Sequence, residues 1–357
     1  MESLGMSEPW RNRKVFVTGH TGFKGGWLTL WLKRLGAEVH GYSLTPPATP
    51  NLFTVANVAR DVATNTIADI RDARALTDAL RAAAPEVVFH LAAQPLVRLS
   101  YQQPVDTYAV NVMGTVNLLE AVRAVESVRA VVVVTTDKCY ENREWVWGYR
   151  ENEALGGADP YSSSKACCEL VTAAYRASFL ASKAVAVGSA RAGNVIGGGD
   201  WAADRLIPDF FRAVASGKTL EVRYPQSTRP WQHVLEPLSG YIRLADALLT
   251  DGPRNADAWN FGPREASARS VGWILDYMTR QVPNARWRHL DGAHPHEARS
   301  LRLDSTKAET SLGWAPRWSL ETALDRTLQW HASWDKGADM HGVCVEQIRA
   351  YESQSQA

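Results

Sequence analysis

The residues best suited to chemistry are Tyr161 and Lys165, the ends of the run Tyr-Ser-Ser-Ser-Lys. A spacing of four at the start of a predicted helix puts both on one helical face. An ammonium beside a phenol favours phenolate and so predicts a lowered tyrosine pKa. Such a tyrosine exchanges a proton with an alcohol oxygen while a hydride moves from its carbon. Thr136, 25 residues upstream, ends a predicted strand and is followed by Asp137 and Lys138. A third group opens the chain: Gly19, Gly22 and Gly25, with Thr21 and Phe23 between them, link a strand to a helix. Glycines at such a turn let the backbone approach a pyrophosphate, and the helix N-terminus supplies N–H groups and a positive dipole end. A tight turn with no ligand is the plainer alternative.

Positioning these groups requires a sheet. The predicted strands are 14–18, 37–42, 61–67, 86–91, 129–135 and 184–190, alternating with predicted helices 25–35, 72–84, 104–125 and 160–180. That rhythm implies right-handed βαβ units and an α/β fold with a doubly wound parallel Rossmann-type sheet. Ligands bind outside the C-terminal ends of such strands, where the glycine turn and Thr136 both fall. Past residue 190 the rhythm breaks. The expected division is a dinucleotide-binding domain of 10–192 plus about 235–262, and a smaller substrate-binding domain of 193–234 and 263–350. The tail 352–357 is expected to be unstructured.

Composition narrows the function classes. The chain has 357 residues, 45% hydrophobic and 22% charged, as in a globular enzyme. With 39 basic against 38 acidic residues, nothing favours a nucleic-acid partner. Cys139, Cys167, Cys168 and Cys344 form no CxxC pair, which predicts reduced thiols, a cytoplasmic setting and no metal site. No apolar run spans a bilayer and no signal peptide opens the chain, so no membrane partner is expected. The 14 tryptophans are read mainly as packing.

The glycine turn, strand-end hydroxyl and YxxxK, in that order, resemble the short-chain dehydrogenase/reductase superfamily. The segments TGHTGFKGGWL (18–28), HLAAQPLVRLSY (90–101), TTDKCYEN (135–142), WGYREN (147–152), DPYSSSK (159–165), RAGNVIGGGDWA (191–202) and RPWQHVLEPLSGY (229–241) are more specific. They resemble the extended branch that acts on nucleotide sugars, and within it the CDP-glucose 4,6-dehydratases. The resemblance implies NAD as cofactor and CDP-glucose as substrate. The implied reaction is oxidation at C4, loss of water across C5 and C6, and reduction at C6 by the recycled hydride. It also implies a role in deoxysugar biosynthesis for surface polysaccharide such as lipopolysaccharide O-antigen. A homodimer through a four-helix bundle of 104–125 and 160–180 is implied as well. Relatives acting on dTDP-glucose carry Thr-Asp-Glu at this strand end, where Asp protonates the departing O6 and Glu removes the C5 proton. Those positions fall on Thr136, Asp137 and Lys138. Lys138 would then be either a neutral base in a dry pocket or a cation stabilising an enolate.

By the same analogy, Ser43, Asp69, Ile70, Leu91, Ala92 and Ala93 are expected around the cofactor. Residues 39–60 contain no acid to hold a ribose 2′-hydroxyl, so the second strand does not decide NAD over NADP. Gln94, Arg98, Asn194, Arg205, Arg229 and His296 are expected to bind the substrate. Arg229 suits a diphosphate because a guanidinium bonds two oxygens at once. For Arg98 a structural ion pair is the alternative. The 4-epimerases of nucleotide sugars lack an acid at the position of Asp137, and a non-catalytic dinucleotide binder would not need the four groups together.

Overall fold

The computed structural model describes residues 8–46, 48–290, 292 and 301–354. Strands β1 (Lys14–Thr18), β2 (Glu38–Ser43), β3 (Val62–Ile67), β4 (Val87–His90), β5 (Ala130–Val134) and β6 (Ala186–Ala192) join a last strand, Ala258–Phe261. Together they form one seven-stranded sheet. Its order runs from Ala258–Phe261 through β6, β5, β4, β1 and β2 to β3, and every pairing is parallel. The order reverses between β1 and β4, whose C-terminal ends face the ligand crevice of such sheets.

Side chains alternate across each strand, so covering both faces demands near-continuous apolar runs. Val15 and Val17 on β1 and Val132 on β5 face one core with Trp27, Trp31, Leu238 and Tyr241. Phe16, Val131 and Val133 face the other, with Leu76, Leu80, Leu118 and Val122. A third core, built on Phe210, Trp231, Ile274, Met278 and Leu324, belongs to the smaller lobe.

Two expectations need correction. The helix Met340–Ser353 does not belong with the substrate side: Cys344, Ile348 and Tyr351 lie in the first sheet core, and Tyr351 meets Trp31 edge-on at 5.5 Å. Nor does the chain loosen at residue 352. Glu352 continues that helix, accepts from Trp31 Nε1 at 2.9 Å and pairs with Arg34 at 2.7 Å. A polar-rich tail reads as solvated, but here one carboxylate finds two donors across the fold. The two long predicted helices also each contain a π turn, at Ala109–Met113 and Arg176–Leu180. Among the described residues no helix is long and apolar enough to cross a membrane.

Candidate active site

The glycine turn is shaped by contacts that exclude side chains. Gly19 has φ +78°, and a Cβ there would lie 2.7 Å from the Ala92 nitrogen. A Cβ on Gly25 would lie 2.0 Å from the Gly19 carbonyl oxygen. Thr18 Oγ1 accepts from the Leu91 and Ala92 amides at 3.1 and 3.2 Å and bonds His90 Nδ1 at 2.8 Å, tying the ends of β1 and β4 together. Gly22 starts the helix Phe23–Arg34 with no side chain capping it. First-turn N–H groups left without a side-chain cap are what an anion binds. The cradle therefore fits a dinucleotide pyrophosphate. At the ribose end, Thr21 Oγ1 bonds Ser43 Oγ and donates to the Leu44 carbonyl, both at 2.8 Å. Asp69 is engaged with Arg71, whose amide it accepts at 2.8 Å. Ile70 is buried, its side chain packed where Gly114 passes. Ala93 continues the β4 end beside Ala92.

The catalytic candidates converge at the end of β5. Asp159 caps the helix Pro160–Tyr175 by accepting from the Ser162 amide, with Pro160 in the first turn, and this starts the helix at Tyr161. Tyr161, Lys165, Thr136 and Asp137 are all buried. Thr136 Oγ1 donates to Asp137 Oδ1 at 2.9 Å, and the phenol of Tyr161 also bonds Thr136. Asp137 Oδ2 is buried with no hydrogen-bond partner among the described residues. Lys138 holds its ammonium 3.7 Å from Asp137 Oδ1 with its side chain 36% exposed, so it does not occupy a dry pocket.

The expected lowering of the tyrosine pKa is not met. Burial pushes the Tyr161 phenol up to about 12, the Thr136 hydrogen bond opposes this, and the Asp137 charge adds to it. Lys165 is directed elsewhere, donating to the Val134 carbonyl at 3.3 Å. Burial lowers the Lys165 pKa, while Cys168, Glu169 and Cys139 act the other way.

The site also contains a cation that motif reading passed over. Lys24 follows Phe23 in the glycine turn, and its charge meets those of Arg205, Asp137, Lys165 and Lys138. Burial, then Arg205, lower its pKa to about 7, with Asp137 opposing. The only signal in the sequence was a lysine in the first turn of a helix, where the dipole disfavours a cation.

The proposed substrate ligands divide. Arg205 is at the site: it pairs with Asp200 at 2.9 Å and acts on both Tyr161 and Lys24. Asn194 follows Gly193, where a Cβ would lie 3.0 Å from Asp137 Oδ2, so this segment passes directly over the acid. Gln94 is not free for substrate. Its amide donates to Leu96 O at 3.1 Å and Thr107 Oγ1 at 2.9 Å, because the chain turns out of β4 there and its carbonyls need donors. Arg98 makes the structural ion pair, with Asp204. Arg229 is the second residue of the strand Thr228–His233 and donates to the Thr228 carbonyl at 3.0 Å. His296 lies outside the described residues. Trp201 and Trp231 are packing residues: Trp201 stands edge-on to Trp330 and Trp334, and Trp231 is buried in the lobe core.

A glycine cradle and a Thr–Asp–Tyr–Lys cluster at the C-terminal edge of a parallel sheet fit an enzyme of the dinucleotide-dependent class that moves protons beside its cofactor. The family model described as GDP-mannose 4,6 dehydratase matches residues 16–327, and the chain belongs to that family. It is 53% identical over 351 residues to the CDP-glucose 4,6-dehydratase of Salmonella typhimurium, covering 96% of this chain and 97% of that protein. Among solved structures, MoeE5 in complex with UDP-glucose and NAD is 26% identical with a TM-score of 0.75, covering 90% of this chain and 99% of that one. The dTDP-glucose 4,6-dehydratase of Bacillus anthracis, 21% identical, shares the fold with a TM-score of 0.76 over 92% of this chain and 99% of that one.

Proposed function

We propose that this chain is an NAD-dependent hydro-lyase that converts CDP-D-glucose to CDP-4-keto-6-deoxy-D-glucose and water. The observation that carries the reading is Asp137: a buried carboxylate at the strand end whose Oδ2 has no partner among the described residues. A 4-epimerase moves hydrogen only at C4 and needs no acid there. A dehydratase must protonate O6 as it leaves. CDP as the nucleotide rests on the 53% identity to the Salmonella typhimurium enzyme over nearly the whole chain.

Gly19, Gly22 and Gly25 would hold the pyrophosphate of NAD, with Thr21, Phe23, Ser43, Asp69, Ile70, Leu91, Ala92 and Ala93 around its nucleosides. Held there, NAD would supply a hydride acceptor for C4 and, reduced, a hydride donor for C6. Everything else falls to the chain. Tyr161 takes the O4 proton in its phenolate form, which the positive charge of Lys165 favours against the burial that holds the phenol high, with Thr136 bonded to both the phenol and Asp137 as the link between the two halves of the reaction. Lys165 orients the ribose and supplies positive charge. Asp137 and Lys138 form one pair, and for elimination its proton must sit on Asp137. Asp137 gives that proton to O6 while the neutral Lys138 amine takes the C5 proton and returns it to C5 as C6 is reduced, and the O4 proton held by Tyr161 passes through Thr136 to restore Asp137. Residues 193–234 and the helices that share their core form the nucleotide-sugar side, with Asn194, Arg205 and Arg229 directed to the substrate.

The four cysteines are unpaired, which supports a cytoplasmic enzyme. A homodimer is supported by large apolar side chains left exposed on two neighbouring helical segments: Val105 is 82% exposed, Leu170 60% and Met113 51%. The product suits deoxysugar biosynthesis for surface polysaccharide such as O-antigen.

The test is incubation of purified chain with CDP-glucose and NAD, against UDP-glucose, dTDP-glucose and GDP-mannose. The expected result is a 4-keto-6-deoxy product, absorbing strongly in alkali, fastest from CDP-glucose. A 4-epimer, or preference for another nucleotide, would overturn the reading.

A further inference from the structure

Behind the catalytic lysine lies a buried network that the reaction as described does not use. Glu169 follows Lys165 by four residues, so the two share a face of the Pro160–Tyr175 helix. Its carboxylate accepts from Thr135 Oγ1 at the end of β5, from Ser189 Oγ on β6 at 2.6 Å, and from Arg191 Nη2 at 2.8 Å. Arg191 also donates to the Tyr140 hydroxyl at 2.7 Å and to the Glu151 carbonyl at 3.1 Å. Tyr140 in turn donates to Asn260 Oδ1 at 2.8 Å on the edge strand. Both members of the ion pair are almost fully buried, with side-chain exposures of 3% and 4%.

A buried pair of this kind is expensive in desolvation and weak evidence of a stability role. Its placement points to another one. It bonds the residue next to Thr136, the strand beside it, and the segment that follows Asp137–Cys139. On the helix it lies one turn below Lys165. We propose that Glu169, clamped by Arg191, is the positioning residue of this site: it holds the Thr136–Asp137 strand end in register with the helix and keeps a counter-charge beneath Lys165. The inference rests on Tyr161 and Lys165 being the catalytic pair.

Lys165 is faced by Glu169 and Cys168 on its own helix, by Cys139 after β5, by His90 at the end of β4 and by Lys24 on the first helix. Burial holds both thiols high and His90 low, so all three are neutral. Lys24 repels. Glu169 is therefore the one anion among these neighbours, and it supports the ammonium form. Removing its charge leaves Arg191 uncompensated in the same core, and the Lys165 proton is lost at lower pH. An opposite charge within about 4–6 Å is worth about 1–3 pH units, and Glu169, itself paired with Arg191, sets the lower end of that range as the expectation.

The experiment is the pH profile of kcat/KM for CDP-glucose in Glu169→Gln, beside circular dichroism and melting. The expected result is a folded protein whose alkaline limb has moved about one pH unit or more toward neutrality, with KM at neutral pH little changed. A folded variant with the wild-type limb, whatever its loss of activity, would overturn the inference. Should the lone arginine prevent folding, Glu169→Gln with Arg191→Met removes both charges. There the limb is again expected to move, by less, and an unmoved limb refutes the role. Tyr161→Phe run in parallel separates the two levels. Full turnover in that variant defeats the catalytic pair itself, whereas its loss beside an unmoved Glu169→Gln profile defeats only this inference.

Discussion

Asp137 and Gly193 meet at the centre of the site: a Cβ on Gly193 would stand 3.0 Å from Asp137 Oδ2, with Pro230 Cγ 3.3 Å away on another side. The oxygen so crowded is the one with no hydrogen-bond partner. The glycine thus leaves room for the acid and whatever it protonates. Gly193→Ala is expected to fold normally and to displace the carboxyl by a few tenths of an ångström. Turnover should fall by roughly tenfold, since misplacement by a full ångström costs ~10². Stopped-flow comparison of the oxidation and elimination steps checks this, with the loss expected in elimination.

The proposed mechanism divides its labour between two proton-transfer tasks. Tyr161→Phe should keep the fold and lose ~10²–10⁴ in turnover. Asp137→Asn and Lys138→Met should each allow oxidation at C4 and stall before or during loss of water. A single-turnover mix with CDP-glucose and NAD is then expected to show lasting absorbance near ~340 nm from reduced cofactor. If neither variant forms reduced cofactor, the division is wrong. If Lys138→Met eliminates water at the wild-type rate, the lysine is a bystander.

Lys24 makes a prediction about stability. Its pKa is lowered by desolvation, and then by the Arg205 charge, to about 7 in the folded chain, well below the ordinary range of a lysine. Between the two the unfolded chain binds more protons, so this group makes stability rise with pH from about 7 upward. Below about 7 the folded chain carries the whole cost of a half-buried, partly desolvated cation among cations. Lys24→Met should therefore raise the melting temperature of the cofactor-free protein most at pH 6 and least above pH 9. Equal gains at both pH values would show that the lysine is solvated.

The exposed apolar face makes the proposed dimer testable. Val105→Glu with Leu170→Glu places charges on the two segments that leave apolar side chains in water. The double variant is expected to elute as a monomer with an unchanged circular dichroism spectrum, where the parent elutes as a dimer. A parent already monomeric in light scattering rules the helical interface out.

Much of this was present in local pattern. The alternation of apolar strands with helices is a short-range property, and it led to the parallel sheet and the order of its elements. The glycine turn was legible because glycine spacing is dictated by backbone contact, and Thr136, Asp137, Tyr161 and Lys165 because strand ends and i,i+4 spacing bring them to one edge. What local pattern did not carry was the direction in which each side chain is satisfied. Gln94 and Arg98 were expected to bind substrate, and their contacts in this structure are to the turn after β4 and to Asp204. The Tyr161 pKa moves opposite to the expectation from its lysine neighbour, because burial is set by every element packed around the phenol. Lys24 and the Glu169–Arg191 pair came to light only in three dimensions. Their partners lie on other strands and helices, and the long-range packing that removes water from a charge decides whether that charge is a surface ornament or part of the site.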